Sequence, residues 1–187
     1  MKNIIKSTAL LLCSLAFLTA CDDDRDNNPT IQTPTTFVLN TPSYAQANVD
    51  LATSESLAFS WSQPDYGYPA LASYQIQVSP TNRWTKDIQA GEKDATDQAV
   101  GDYKTFDTEF SLVKGSVAAN EMAKALQEIV RYEPNNVPAS QDVYVRVRAA
   151  YAGDTIYSNA VQIKVLPYYV KLKDAAIDVW YLIGGCI

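Results

Sequence analysis

Apolar and polar positions alternate with period two through much of this chain. Phe37 and Leu39 open the pattern and it stops at Pro42. Leu57, Phe59 and Trp61 alternate with Ala58, Ser60 and Ser62 until Pro64, and Tyr74, Ile76 and Val78 alternate with Gln75 and Gln77 until Pro80. Each run predicts a strand with one face on a core and the other toward water. The intervening Pro64-Asp65-Tyr66-Gly67-Tyr68-Pro69 is turn chemistry.

Residues 81–115 are less regular. Tyr103-Lys104-Thr105-Phe106 and Glu109-Phe110-Ser111-Leu112 predict one or two short strands, and Gly91 to Asp102 reads as a loop. Between Asn120 and Tyr132 the period lengthens. Met122, Leu126 and Ile129, flanked by Ala125 and Val130, form one apolar stripe at helical spacing. Asn120 is the expected N-cap and Pro134 the stop. A single amphipathic helix among strands is expected to cover the edge or end of a sheet.

The most regular alternation follows. Val143, Val145, Val147 and Ala149 alternate with Tyr144, Arg146 and Arg148, and Val161, Ile163 and Val165 alternate with Ala160, Gln162 and Lys164. With Ala152-Gly153-Asp154 between them, the two runs predict a hairpin turning at Gly-Asp. Arg146, Arg148 and Lys164 make a small basic stripe in the sequence, for which a plain solvated sheet face is the stronger expectation. Strands at this spacing with one late helix predict a mainly β chain, a two-sheet sandwich over residues 36–168 with Trp61 between the sheets.

The first residues have a different pattern. Lys2 and Lys6 precede an apolar stretch from Ala9 to Leu18 that is too short to span a bilayer. It closes on Leu18-Thr19-Ala20-Cys21, which resembles a bacterial lipoprotein signal. That resemblance implies a signal peptide over residues 1–20 and lipidation of Cys21; the alternative is an ordinary signal peptide beside a chance cysteine. After it, residues 21–35, with Asp22, Asp23 and Asp24 at their head, carry almost no apolar side chains and predict a solvated linker.

Charge and rare residues narrow the chemistry. The chain has 15 Lys+Arg and 21 Asp+Glu; without Lys2 and Lys6 the balance is 13 against 21, a net charge of −8. That argues against nucleic acid and against a polybasic hold on anionic lipid, so the acyl chains must supply the membrane attachment. Cys13 would leave with the leader and Cys21 would carry lipid, so only Cys186 remains and no intrachain disulfide forms. The absence of histidine removes Ser-His-Asp and Cys-His systems and His-ligated zinc. No enzymatic activity, catalytic residue, metal or cofactor is expected.

Two stretches resemble immunoglobulin or fibronectin type III modules. Ser60-Trp61-Ser62-Gln63-Pro64 with Tyr74-Gln75-Ile76-Gln77-Val78 is similar to their B and C strands, and Val143 to Ala149 with Tyr157-Ser158-Asn159 to their F and G strands. Tyr144 falls on the outer phase, away from the place of a tyrosine corner. The whole arrangement, from the leader and acidic linker to Pro167-Tyr168 and Trp180-Tyr181-Leu182-Ile183-Gly184-Gly185, resembles the N-terminal part of SusE/SusF-type surface glycan-binding lipoproteins.

That resemblance implies an outer-membrane location facing the cell exterior, with Asp22, Asp23 and Asp24 as a surface-export signal. It also implies a SusC/SusD-like transporter as partner and a sandwich that spaces or docks starch-binding domains lying beyond it. Residues 169–187 then read as a linker and the cut-short first strand of a following domain; the alternative is a strand that pairs back onto the sandwich edge. Sugar contact needs a flat aromatic beside polar groups. Within residues 36–168 Trp84, next to Arg83 and Asn82, is the best candidate, with Tyr66 and Tyr68 in the turn behind it. The competing expectation is a lipid-anchored protein-interaction module with no glycan role.

Overall fold

The computed structural model describes residues 30–88 and 101–172. The expectations for the leader, Cys21, the Asp22–Asp24 run, the loop over residues 91–100 and the apolar segment after residue 172 lie outside the described residues.

The expected mainly β architecture is present, among the described residues as one large mixed sheet, one two-stranded sheet and one short helix. Together they are compatible with a β-sandwich. The eight strands are β1 (Asn48–Asp50), β2 (Ser56–Ser60), β3 (Ser73–Ser79), β4 (Lys104–Thr105), β5 (Lys114–Ala118), β6 (Gln141–Tyr151), β7 (Asp154–Tyr157) and β8 (Val161–Leu166); helix α1 (Ala119–Val130) follows β5 directly. The large sheet runs β1-β8-β6-β3-β4, with β7 also on β6, and β2 pairs with β5 in the small one. All pairings are antiparallel except β1 with β8.

The alternating positions do what their period implies. Tyr74, Ile76 and Val78 of β3, Val143 to Ala149 in steps of two on β6, and Val161, Ile163 and Val165 of β8 are buried. Leu57, Phe59 and Val117 of the small sheet close over them. Each such side chain contributes roughly 1.5–3 kcal/mol on leaving water. Trp61 lies in the core as expected, 3% exposed, with its ring centroid 5.5 Å from that of Tyr74 and 6.0 Å from that of Phe110. Met122 and Leu126 plug one end of the core from α1, and Tyr144 keeps to the outer phase, half-buried.

Several local expectations are corrected. The run at Phe37 and Leu39 forms no strand, only a bridge from Leu39 to Trp61. The second backbone edge of Leu39 is taken by a side chain: its N–H donates to Asn159 Oδ1 at 2.9 Å, and Asn159 Nδ2 donates to its carbonyl at 3.2 Å. Likewise Phe110 only bridges to Tyr74. β1 and β5 had no alternating signal to announce them, since Val117 is the one buried residue of β5 and β1 holds none. The cap of α1 is Ala118, and Asn120 sits inside the first turn with its Oδ1 accepting from Glu121 N. β5 runs straight into the helix, and Ala119 N donates to Glu55 O instead of to a capping side chain.

The expected hairpin is also different. β6 turns at Ala152-Gly153, both at positive φ (52° and 90°), and pairs first with β7, from Tyr151↔Asp154 to Arg148↔Tyr157. β8 then continues along the same edge of β6, from Val145↔Val161 onward. The register slips by one residue between them, so Ser158 to Ala160 form a bulge. Ser158 closes the gap, its N–H donating to Val147 O and its Oγ accepting from Val147 N, each at 2.9 Å.

Candidate functional site

The outer face of the large sheet carries the polar phase of β3 and β6. Their register sets Gln77 opposite Arg146 and Gln75 opposite Arg148. Arg146 Nε donates to Gln77 Oε1 and Arg148 Nη1 to Gln75 Oε1, both at 2.7 Å. Gln77 Nε2 donates in turn to Thr105 Oγ1 at 2.7 Å, and the Thr105 hydroxyl donates to Asp87 Oδ2 at 2.5 Å. A carboxylate is thus linked to a guanidinium through two neutral side chains. Gln77 is buried although polar, and it uses both ends of its amide in doing so.

Aromatic rings enclose the same guanidinium. Arg146 Cζ lies 4.2 Å from the Trp84 ring centroid, 4.1 Å from that of Tyr157 and 5.5 Å from that of Tyr103. Trp84 and Tyr103 are themselves 5.7 Å apart. Burial lowers the pKa of Arg146 from its ordinary value, opposed by Tyr157, Tyr103, Asp102 and Asp87; the side chain stays charged, as arginine does. Burial chiefly, with Asp87 next, raises the Tyr103 phenol.

The three cations therefore form no open stripe, and the face is less solvated than expected. Arg146 is half-buried between rings, Arg148 is tied to Gln75, and Lys164 faces Asp142 across β8 and β6. Desolvation of an unstacked guanidinium would be costly, and the ring faces offset it. Beside the stack a polar cleft of about 280 Å³ opens, with Gln75, Arg148 and Thr105 on its floor and Tyr103, Tyr157 and Asp107 around it. It can exchange hydrogen bonds with a small polar solute.

The three aromatic candidates are placed as follows. Trp84 is half-buried, stacks on Arg146 and donates from Nε1 to Asn82 Oδ1 at 3.0 Å. Tyr66 is 2% exposed, packs 5.0 Å from the Tyr151 ring centroid, and presents no face to solvent. Tyr68 shares a 3.0 Å hydrogen bond with the Tyr151 hydroxyl and borders a shallow hollow with Pro64 and Pro69. The turn and the 81–88 loop are separate: Trp84 joins Arg146, whereas Tyr66 and Tyr68 join Tyr151 at the far end of β6. Arg146, Gln77, Tyr157 and Asp87 were not singled out as one site, because only cross-strand register brings them together.

This geometry defines a mainly β module whose outer β3–β6 face is tied together by its own side chains. Over residues 23–148 the chain matches the family described as SusE outer membrane protein, and it belongs to that family. It is an outer-membrane protein of the Sus system. No solved structure matches it.

Proposed function

We propose that this protein is a lipid-anchored, outward-facing accessory of glycan capture and uptake, with the sandwich as its tethered spacer or docking module. Lipid on Cys21 confines the chain to the membrane plane, and Asp22, Asp23 and Asp24 direct it to the outer leaflet. Confinement beside a SusC/SusD-like transporter raises the local concentration of whatever the module holds there. The module itself performs no catalysis and uses no cofactor, and contact with starch-like glycans falls to other domains or proteins of the system.

One observation carries the spacer reading. The aromatic residues best suited to stack on a sugar are engaged within the molecule: Arg146 occupies the space between Trp84 and Tyr157, and Tyr66 is buried. A rigid, self-satisfied face suits a spacer better than a sugar platform. In native gels cast with starch, the protein carrying Cys21→Ser should migrate as it does without starch; retardation that Trp84→Ala abolishes would overturn the spacer reading. Replacing Asp22, Asp23 and Asp24 by Ala should protect the protein from protease added to intact cells. Unchanged cleavage would reduce the acidic run to a linker.

A further inference from the structure

The two sheets finish their edges differently. At β4 the large sheet is closed: Thr105 N donates to Asp87 Oδ1 at 3.0 Å, and Ile88 N donates to Tyr103 O at 2.9 Å. At β5 the small sheet is open. β2 and β5 pair in a single register, continued by Trp61 N to Val113 O and by Ala119 N to Glu55 O. Antiparallel alternation then turns Gly115 and Val117 toward β2 and sends the N–H and C=O groups of Lys114 and Ser116 the other way. Among the described residues no backbone group meets them.

A groove of about 580 Å³ lies against this edge. Phe110, half-buried, supplies apolar surface to it, beside the buried Phe106 and Val117. Its charged lining is mainly acidic, with Glu55, Asp107 and Glu121 against Lys124, since Lys104 is held by Glu128.

We propose that the β5 edge is a docking site for an extended, cationic segment of a partner protein, added to the small sheet as a third strand. Strand addition joins main-chain hydrogen bonds to alternating side-chain pockets. Here the unmet groups of Lys114 and Ser116 would take the main chain, and the exposed part of Phe110 would take an apolar side chain on one face of the added strand. The acidic lining selects basic residues at the positions between. A second copy of this chain fits less well, because self-pairing through β5 sets two acidic grooves face to face. This inference rests on the docking-module reading and names its surface.

The test uses the full-length chain in detergent and a short synthetic peptide of alternating valine and lysine, with binding followed by fluorescence anisotropy. The peptide should bind, and its valine–glutamate counterpart should not. Ser116→Pro removes only an N–H that faces the groove, a position an edge strand tolerates, and should weaken binding about tenfold or more. Glu121→Lys, distant from the pairing, should weaken it about threefold, and a peptide N-methylated along its backbone should not bind. The last two arms keep the test valid if Ser116→Pro lowers the unfolding midpoint.

Equal binding of both peptides, indifference to N-methylation, or no binding by the folded protein would overturn the proposal. Self-association abolished by Ser116→Pro would overturn it in favour of a second copy. If the peptide fails while protease still reaches the protein on intact cells, the groove assignment falls and the surface-accessory reading stands.

Discussion

Asn159 binds both main-chain groups of Leu39, accepting from its N–H at 2.9 Å and donating to its carbonyl at 3.2 Å across a separation of 120 residues. The amide takes the place of a strand partner and ties the segment beside β2 to the bulge between β7 and β8. Asn159→Ala leaves both Leu39 groups unmet in a part-buried setting and should cost about 2 kcal/mol. Asn159→Asp keeps the acceptor, loses the donor and sets a carboxylate against a carbonyl, so it should do no better. Chemical denaturation of the two variants checks this; a loss under about 0.5 kcal/mol would mean that water replaces the amide.

Arg146 holds the outer face together through Gln77 and the rings of Trp84 and Tyr157. Arg146→Ala removes the stack and strands a buried glutamine oxygen, and should destabilise by about 2–3 kcal/mol. A double-mutant cycle with Trp84→Ala should give a coupling of about 1 kcal/mol between the two side chains. Additive losses would show that the contact carries no energy of its own.

Alkali should unfold the protein through its tyrosines. Burial pushes the Tyr132 phenol, which donates to Gln141 Oε1, up to about 12, and burial also raises Tyr44, Tyr66 and Tyr74. Above pH ~10 the unfolded chain releases these protons and the folded chain keeps them, so the unfolded state binds fewer and stability falls as pH rises. Each such group contributes a slope of about 1.4 kcal/mol per pH unit between its unfolded and folded values. Unfolding free energy should therefore be level below pH ~9 and drop steeply from ~10, with tyrosinate absorbance appearing together with unfolding. Tyr132→Phe should flatten the decline, and an unchanged slope would remove Tyr132 as a cause.

The β6–β7 turn contains an avoidable strain. Ala152 sits at φ 52° with a side chain poorly suited to that region, whereas Gly153 beside it is free of the penalty at 90°. Ala152→Asn should stabilise by about 0.5–1 kcal/mol and raise the melting temperature. A fall would indicate that the turn is held by contacts that the larger side chain disrupts.

The order of apolar and polar residues was enough to show the mainly β class, the inner faces of β3, β6 and β8, and the helix, because burial on one side imposes period two or 3.6 whatever the partner strand. It also placed Trp61 in the core, as the last apolar member of the Leu57-Phe59-Trp61 alternation. The rest depended on how the elements meet in space. The one-residue slip at Ser158 set a further strand, β7, between the turn and the expected run of β8, and no periodicity encodes a slip. β5 was invisible because an edge strand with one buried residue has no pattern to show. The meeting of Asp87, Thr105, Gln77, Arg146 and Trp84 depends on register between strands some seventy residues apart. Alternation tells which face a side chain occupies; only the pairing of strands decides what lies beside it.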